Sequence, residues 1–169
     1  MKICIIGNGL TSLVLAKNLA KKKIFVDIIY EHHHKESPSA RTIGITNDNF
    51  QFLKHLFPKI KNRSFSIKEI KVFNHNDLDN ALLNFSSKNM NQMYMFKYHE
   101  IYNHILKDIK KFKYLNKIKK KLKTLNLNNL SKKYDLIIDT NLQNKFSTKN
   151  FYKRIKKDYF SKAYVTIMY

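Results

Sequence analysis

A chain of 169 residues that is 43% hydrophobic and 13% aromatic can bury a real core and is too apolar to be disordered. No run approaches the ~20 apolar residues that span a bilayer, no secretory pattern opens the chain, and the single Cys4 excludes an internal disulfide and suits a reducing compartment. The net charge of +21 raises nucleic-acid binding, but only three of the 33 basic residues are Arg, where base readout favours Arg forks. The lysine runs Lys21–Lys23, Lys110–Lys111 and Lys119–Lys121 read as solvated faces, so nucleic acid is disfavoured and a weak attraction to anionic lipid is kept.

In chain order, Lys2–Ile6 is a continuous β-branched run, the pattern of a strand buried on both faces of a parallel sheet. The turn Gly7-Asn8-Gly9-Leu10-Thr11-Ser12 follows at once. Leu10–Lys22 has a helical apolar face (Leu10, Leu13, Val14, Leu15, Ala16, Leu19, Ala20), with Lys17, Asn18 and Lys21–Lys23 assigned to solvent. Ile24–Tyr30 is a second apolar strand, and Glu31 ends it. Cys4 is read as a small core residue. The consecutive His32, His33 and His34 read as a solvated loop, because adjacent histidines seldom converge on one metal ion.

Strand, glycine turn, helix, strand and acid in this order form a dinucleotide-binding βαβ unit. Gly7 permits the tight turn, Gly9 lets backbone approach a pyrophosphate, and the helix N-terminus supplies free N–H groups to that anion. Glu31, 22 residues past Gly9, is placed to accept hydrogen bonds from ribose hydroxyls and disfavours a 2′-phosphate. The third glycine of the fingerprint is replaced by Ser12. The expected cofactor contacts are therefore Gly7, Asn8, Gly9, Leu10, Thr11, Ser12 and Glu31. A βαβ unit that binds nothing is the alternative.

Ser37–Thr46 then sharpens the reading. A strand ending in Glu, a polar loop, and Arg41 leading into Thr42-Ile43-Gly44-Ile45-Thr46 before a helix at Asn47–Leu56 resembles the flavin-dependent aromatic hydroxylases. The closest likeness is to the ubiquinone-biosynthesis branch, which hydroxylates a polyprenylated phenol. The resemblance implies FAD as cofactor, Arg41 as a flavin contact, and NAD(P)H as electron donor from a site not legible here.

Phe65–Asn74 alternates and reads as one half-buried strand, with Leu82–Phe85 as its partner across a turn at Asn76–Asn80. Tyr98–Phe112 has a clean helical face, off which His99 and His104 fall. Tyr114–Leu130 reads as a short strand pair or a loop. Tyr134–Ile138 is a strand that, by the resemblance, precedes a second flavin motif. Here that motif runs Asp139-Thr140-Asn141-Leu142-Gln143-Asn144-Lys145. Asn141 stands for the family's Asp, Leu142 for its Gly and Lys145 for its Ser, while Asn144 is kept. Asn141 is carried as a cofactor contact, and the Leu142 departure implies an altered flavin site, since a Cβ resists close backbone approach. Phe151–Tyr159 followed by Ala163–Ile167 resembles the family's re-entry into a substrate-domain sheet.

The expectation is an α/β protein. A Rossmann-like FAD/NAD(P)-binding domain with a parallel sheet (residues 1–64 and 97–150) would be joined by the beginning of a β-rich substrate domain (65–96 and 151–169). By the resemblance the chain covers only the N-terminal part of such an enzyme and supplies no catalytic side chain. Its work is to orient the flavin and exclude water. The implied setting is cytoplasmic and peripheral to the inner membrane face, with a polyprenylated phenol as substrate and a second chain covering exposed sheet edges. A truncated, non-catalytic remnant or subunit that keeps the nucleotide-binding fold is one alternative. A basic nucleic-acid or membrane-surface protein is another.

Overall fold

The computed structural model describes residues 1–31, 41–74, 76–87, 90–141, 145–151, 157 and 160. The readings placed on His32–His34, Ser37–Ala40, Leu142–Asn144 and the strand at Ala163–Ile167 lie outside the described residues. The chain divides into two compact units, Met1–Lys35 with Ile109–Tyr169, and Glu36–Asp108.

The first unit is built on a four-stranded parallel sheet. β1 (Lys2–Ile6) lies between β2 (Phe25–Tyr30) and β9 (Leu136–Asp139), and β8 (Leu115–Lys119) pairs outside β2. The order β8-β2-β1-β9 is the 3-2-1-4 order of a doubly wound half-sheet. β1 is central and buried from Ile3 to Ile6, which is why its sequence does not alternate. α1 (Leu10–Lys21) packs on β1 and β2. On the opposite face Cys4, Ile6 and Ile29 join Leu122, Leu125, Leu130, Tyr134 and Phe146 in one apolar cluster. The last five come from the 3-10 turn Leu122–Thr124, α4 (Leu127–Ser131), α5 (Lys145–Asn150) and the stretches between them.

A buried carboxylate lies within this core. Asp27, paired in register with Cys4, accepts a hydrogen bond from the Tyr134 hydroxyl at 2.7 Å and faces the Lys2 ammonium at 3.2 Å. Burial, with Asp27 close by, raises the Cys4 thiol from 9.0 to about 12. Burial and the bond to Asp27 likewise raise the Tyr134 hydroxyl above its ordinary value. Both groups stay protonated at neutral pH, so Cys4 is an inert core residue.

The second unit holds a three-stranded antiparallel sheet ordered β3 (Thr42–Thr46), β7 (Met93–Lys97), β4 (Phe65–Ile67). α2 (Asn47–Leu56) covers β3 and β7, stacking Phe50 on Tyr94 with ring centroids 3.7 Å apart. A separate ribbon pairs β5 (Glu69–Asn74) with β6 (Asp77–Ser86), and α3 runs Tyr98–Ile109.

Four expectations need correction. The single strand read at Phe65–Asn74 is two strands broken at Lys68, one in each sheet of this unit. The turn placed at Asn76–Asn80 is mostly β6, which continues to Ser86. Tyr114–Leu130 is neither a strand pair nor a loop: β8 forms the edge of the parallel sheet, and a 3-10 turn and α4 follow it. Lys17, assigned to solvent, is only 4% exposed, its ammonium 5.4 Å from the centroid of the Phe112 ring. Its stem lies along the apolar face of α1, and the ring offers the charge a favourable partner. Among the described residues no helix is long and apolar enough to cross a membrane.

Candidate functional site: a dinucleotide turn at the end of β1

β1 ends at Ile6 in the centre of the sheet, and the chain must turn sharply there to start α1. Gly7 makes that turn at φ +127, a conformation that L side chains rarely adopt. Its N–H donates to the Ile29 carbonyl at 2.9 Å, which ties the turn to the end of β2. Space demands glycine as well. A Cβ at Gly7 would collide with Thr140 Oγ1, lie 3.2 Å from Ser12 Oγ and 3.5 Å from Asn141 Cβ. Gly9 is the reverse case, because a Cβ there would meet nothing within 4 Å. One glycine is enclosed by protein and the other faces open space, as the pyrophosphate-approach role requires.

Gly9 is also the N-cap of α1, with φ −85 and ψ 178. No side chain caps this helix end, and its first turn carries no acidic residue. The first N–H groups and the positive end of the helix dipole are therefore left for an external anion. Within the turn, both Oδ1 and Nδ2 of Asn8 are buried and lack a hydrogen-bond partner. An unpaired buried amide costs free energy, so this one is poised for a polar ligand. Open space at Gly9, free helix N–H groups and an orphaned amide together fit a dinucleotide pyrophosphate.

Glu31 is half-buried just beyond β2, whose end is tied to the glycine turn. On the other side, the end of β9 closes against the turn through Thr140 and Asn141. Thr140 Oγ1 lies 2.6 Å from Ser12 Oγ and donates to the Ile6 carbonyl at 2.9 Å. This explains Ser12, where the fingerprint has a third glycine. Its hydroxyl is wholly buried and bonds to Thr140, 128 residues away in sequence.

Asn141 is held through its backbone. Its N–H donates to Asp139 Oδ1 at 2.9 Å and its carbonyl accepts from Ser147 Oγ at 2.6 Å. The second oxygen of Asp139 is buried without a partner. The structure thus brings Gly7, Ser12 and Asn141 together, with Thr140 and Asp139 added. Sequence reading gave those two no role, because their contacts join segments far apart in the chain. Leu10 opens α1 and is half-buried, while Thr11 is exposed. Arg41 belongs to the second unit. There its guanidinium stacks 4.5 Å from the Tyr98 ring centroid and its carbonyl accepts the Tyr98 N–H.

A 3-2-1-4 parallel sheet with a glycine turn after its first strand defines a dinucleotide-binding fold of the α/β class. More closely, the fold is that of the FAD-binding domain of flavin monooxygenases. The chain resembles the crystal structure of p-nitrophenol 4-monooxygenase PnpA from Pseudomonas putida (TM-score 0.56, 15% identity, 69% of this chain and 31% of that one). It also resembles PqsL from Pseudomonas aeruginosa, described as a probable FAD-dependent monooxygenase (TM-score 0.56, 12% identity, 70% and 32%). A third likeness is to 2-methyl-3-hydroxypyridine-5-carboxylic acid oxygenase (TM-score 0.55, 12% identity, 69% and 30%). The chain spans about a third of the length of these structures. No protein-family model and no curated protein matches its sequence.

Proposed function

We propose that the chain is the FAD-binding part of a flavin-dependent monooxygenase that hydroxylates an aromatic ring, and that the ring is a polyprenylated phenol of ubiquinone biosynthesis. The observation that carries the cofactor assignment is the Gly7–Ser12 turn, with its open Gly9 and uncapped helix end. In this reading the N–H groups of Leu10, Thr11 and Ser12 and the amide of Asn8 hold the pyrophosphate. Glu31 accepts hydrogen bonds from the adenosine ribose. Arg41 and Asn141 serve the flavin end. When bound, the flavin supplies the redox and oxygen-transfer chemistry, with NAD(P)H as the electron source. The chain's own residues bind it, orient it and keep water away.

The substrate branch rests on the resemblance carried by the Ser37–Thr46 segment. A polyprenyl tail partitions into lipid, and a net charge of +21 favours an anionic bilayer face, so we place the protein in the cytoplasm, peripheral to the inner membrane. The β5–β6 ribbon leaves Phe73, Leu83 and Phe85 exposed. Two strands alone are marginal in water, and we assign their cover to a second chain.

Titration of FAD, FMN and NADPH into the purified chain, followed by flavin or nicotinamide fluorescence anisotropy, tests the cofactor. FAD should bind at micromolar concentration and FMN, which lacks the AMP half, at least about tenfold more weakly. Equal binding of FAD and FMN, or no FAD binding, refutes the assignment. Adding a polyprenylated phenol to the flavin-loaded chain should perturb the flavin spectrum. A response to p-nitrophenol alone would remove the ubiquinone branch.

A further inference from the structure

The first unit contains a cavity that the dinucleotide turn does not use. Its volume is about 410 Å³, within the range of small-molecule sites, and it lies between the segment after β8 and helix α5. Lys123, Lys145 and Lys149 line it, and among the described residues no carboxylate does. None of the three ammonium groups has a carboxylate partner among the described residues. Its apolar wall is Leu125, Leu127 and Phe146, of which Leu125 and Phe146 belong to the core cluster.

Two of the side-chain amides around it are partly engaged. Asn126 Oδ1 accepts from the Asn128 and Asn129 N–H groups, and Asn150 Nδ2 donates to the Phe146 carbonyl. The charged donors that face a ligand are the three lysines.

We propose that this cavity is a second anion site, which takes a phosphorylated small molecule carrying an apolar or aromatic group. Three like charges around one half-open cavity repel each other, and a dianion relieves that repulsion. Lysine is suited to the task, since compact ammonium groups on flexible stems can close on a tetrahedral phosphate from different directions. The carbon surface of Leu125 and Phe146 takes the apolar part. Position agrees with chemistry. Both lining segments follow the carboxyl ends of strands, β8 and β9, and open α/β sheets bind ligands beyond that end. None of Gly7–Ser12 and not Glu31 lines the cavity, so the site is separate from the dinucleotide turn and does not depend on FAD.

Calorimetric titration of the whole chain with phenyl phosphate, inorganic phosphate and phenol tests the proposal. Phenyl phosphate should bind about tenfold more tightly than inorganic phosphate, and phenol hardly at all. The triple variant Lys123→Met, Lys145→Met, Lys149→Met should weaken phenyl phosphate by about thirtyfold, for three partly exposed ion pairs. The triple Lys→Arg variant, which keeps the charge, should restore most of that loss. Saturating FAD should leave the phenyl phosphate affinity in place. The proposal is overturned if phenyl phosphate fails to bind, if the Met variant binds it as wild type does, or if FAD displaces it. It is also overturned if vesicles containing phosphatidate bind through these lysines while phenyl phosphate does not, since the site would then be a lipid surface. The lysine variants decide the matter whether or not the dinucleotide turn proves to bind FAD.

Discussion

Replacing Gly7 with alanine puts a methyl group where the fold has no room for one. The backbone at φ +127 strains any L residue, a cost of roughly 1–2 kcal/mol. The new Cβ also collides with Thr140 Oγ1. That oxygen is borne on a β-branched side chain and held by bonds to Ser12 Oγ at 2.6 Å and the Ile6 carbonyl at 2.9 Å, so it cannot move aside without breaking them. Displacing it gives up two hydrogen bonds at about 1 kcal/mol each. Gly7→Ala should therefore destabilise the chain by about 3 kcal/mol, read as a lower urea midpoint with an unchanged denaturant slope. The steric half is separable. In a Thr140→Ala background the collision is gone, and Gly7→Ala should cost only the φ strain, a coupling of about 1–2 kcal/mol in the double-mutant cycle. A Gly7→Ala cost below about 0.5 kcal/mol, or the same cost in both backgrounds, would refute this account of the turn.

Ser12→Gly restores the usual third glycine yet should destabilise by about 1–2 kcal/mol in the same assay, because it removes the buried bond to Thr140 and loosens the first turn of α1. Above its ordinary value the unfolded chain gives up the Cys4 proton while the native state keeps it, so stability should fall as pH rises from 9.0 to about 12, with Tyr134 adding in the same direction. Alkaline melts of wild type against Cys4→Ala measure this, and a flat profile would contradict it. The native Cys4 thiol should react with an exposed-thiol reagent only as fast as the chain opens. Glu31→Ala should weaken FAD by about tenfold through loss of a charged hydrogen bond to ribose, with stability little changed.

The βαβ unit was legible because each of its parts obeys a local rule. Buried parallel strands read as unbroken apolar runs, a glycine pair marks the turn, and an acid closes the second strand. Helix α2 at Asn47–Leu56 was equally open to pattern, being amphipathic and bounded by a strand. What failed to read was settled at long range. Alternation from Phe65 to Asn74 reads as one half-buried strand, but it shows neither that Lys68 divides it between two sheets nor that most of it is exposed. β8 is masked by lysine and asparagine because an edge strand needs only partial burial, which Leu115, Lys117 and Ile118 supply. Lys17 looks solvated until Phe112 is known to lie over α1. In the site, Ser12 reads alone as a tolerated substitute for glycine. Its function as a bond to Thr140 joins residues 128 apart and has no local signature.

The most direct test of the central claim is amide NMR mapping of FAD on the isotope-labelled chain. The account predicts saturable shifts concentrated at Gly7–Ser12 and Glu31, abolished in Gly9→Val, whose side chain would occupy the open space at the turn. Shifts that leave Gly7–Ser12 untouched, or FAD binding that survives Gly9→Val, would contradict it.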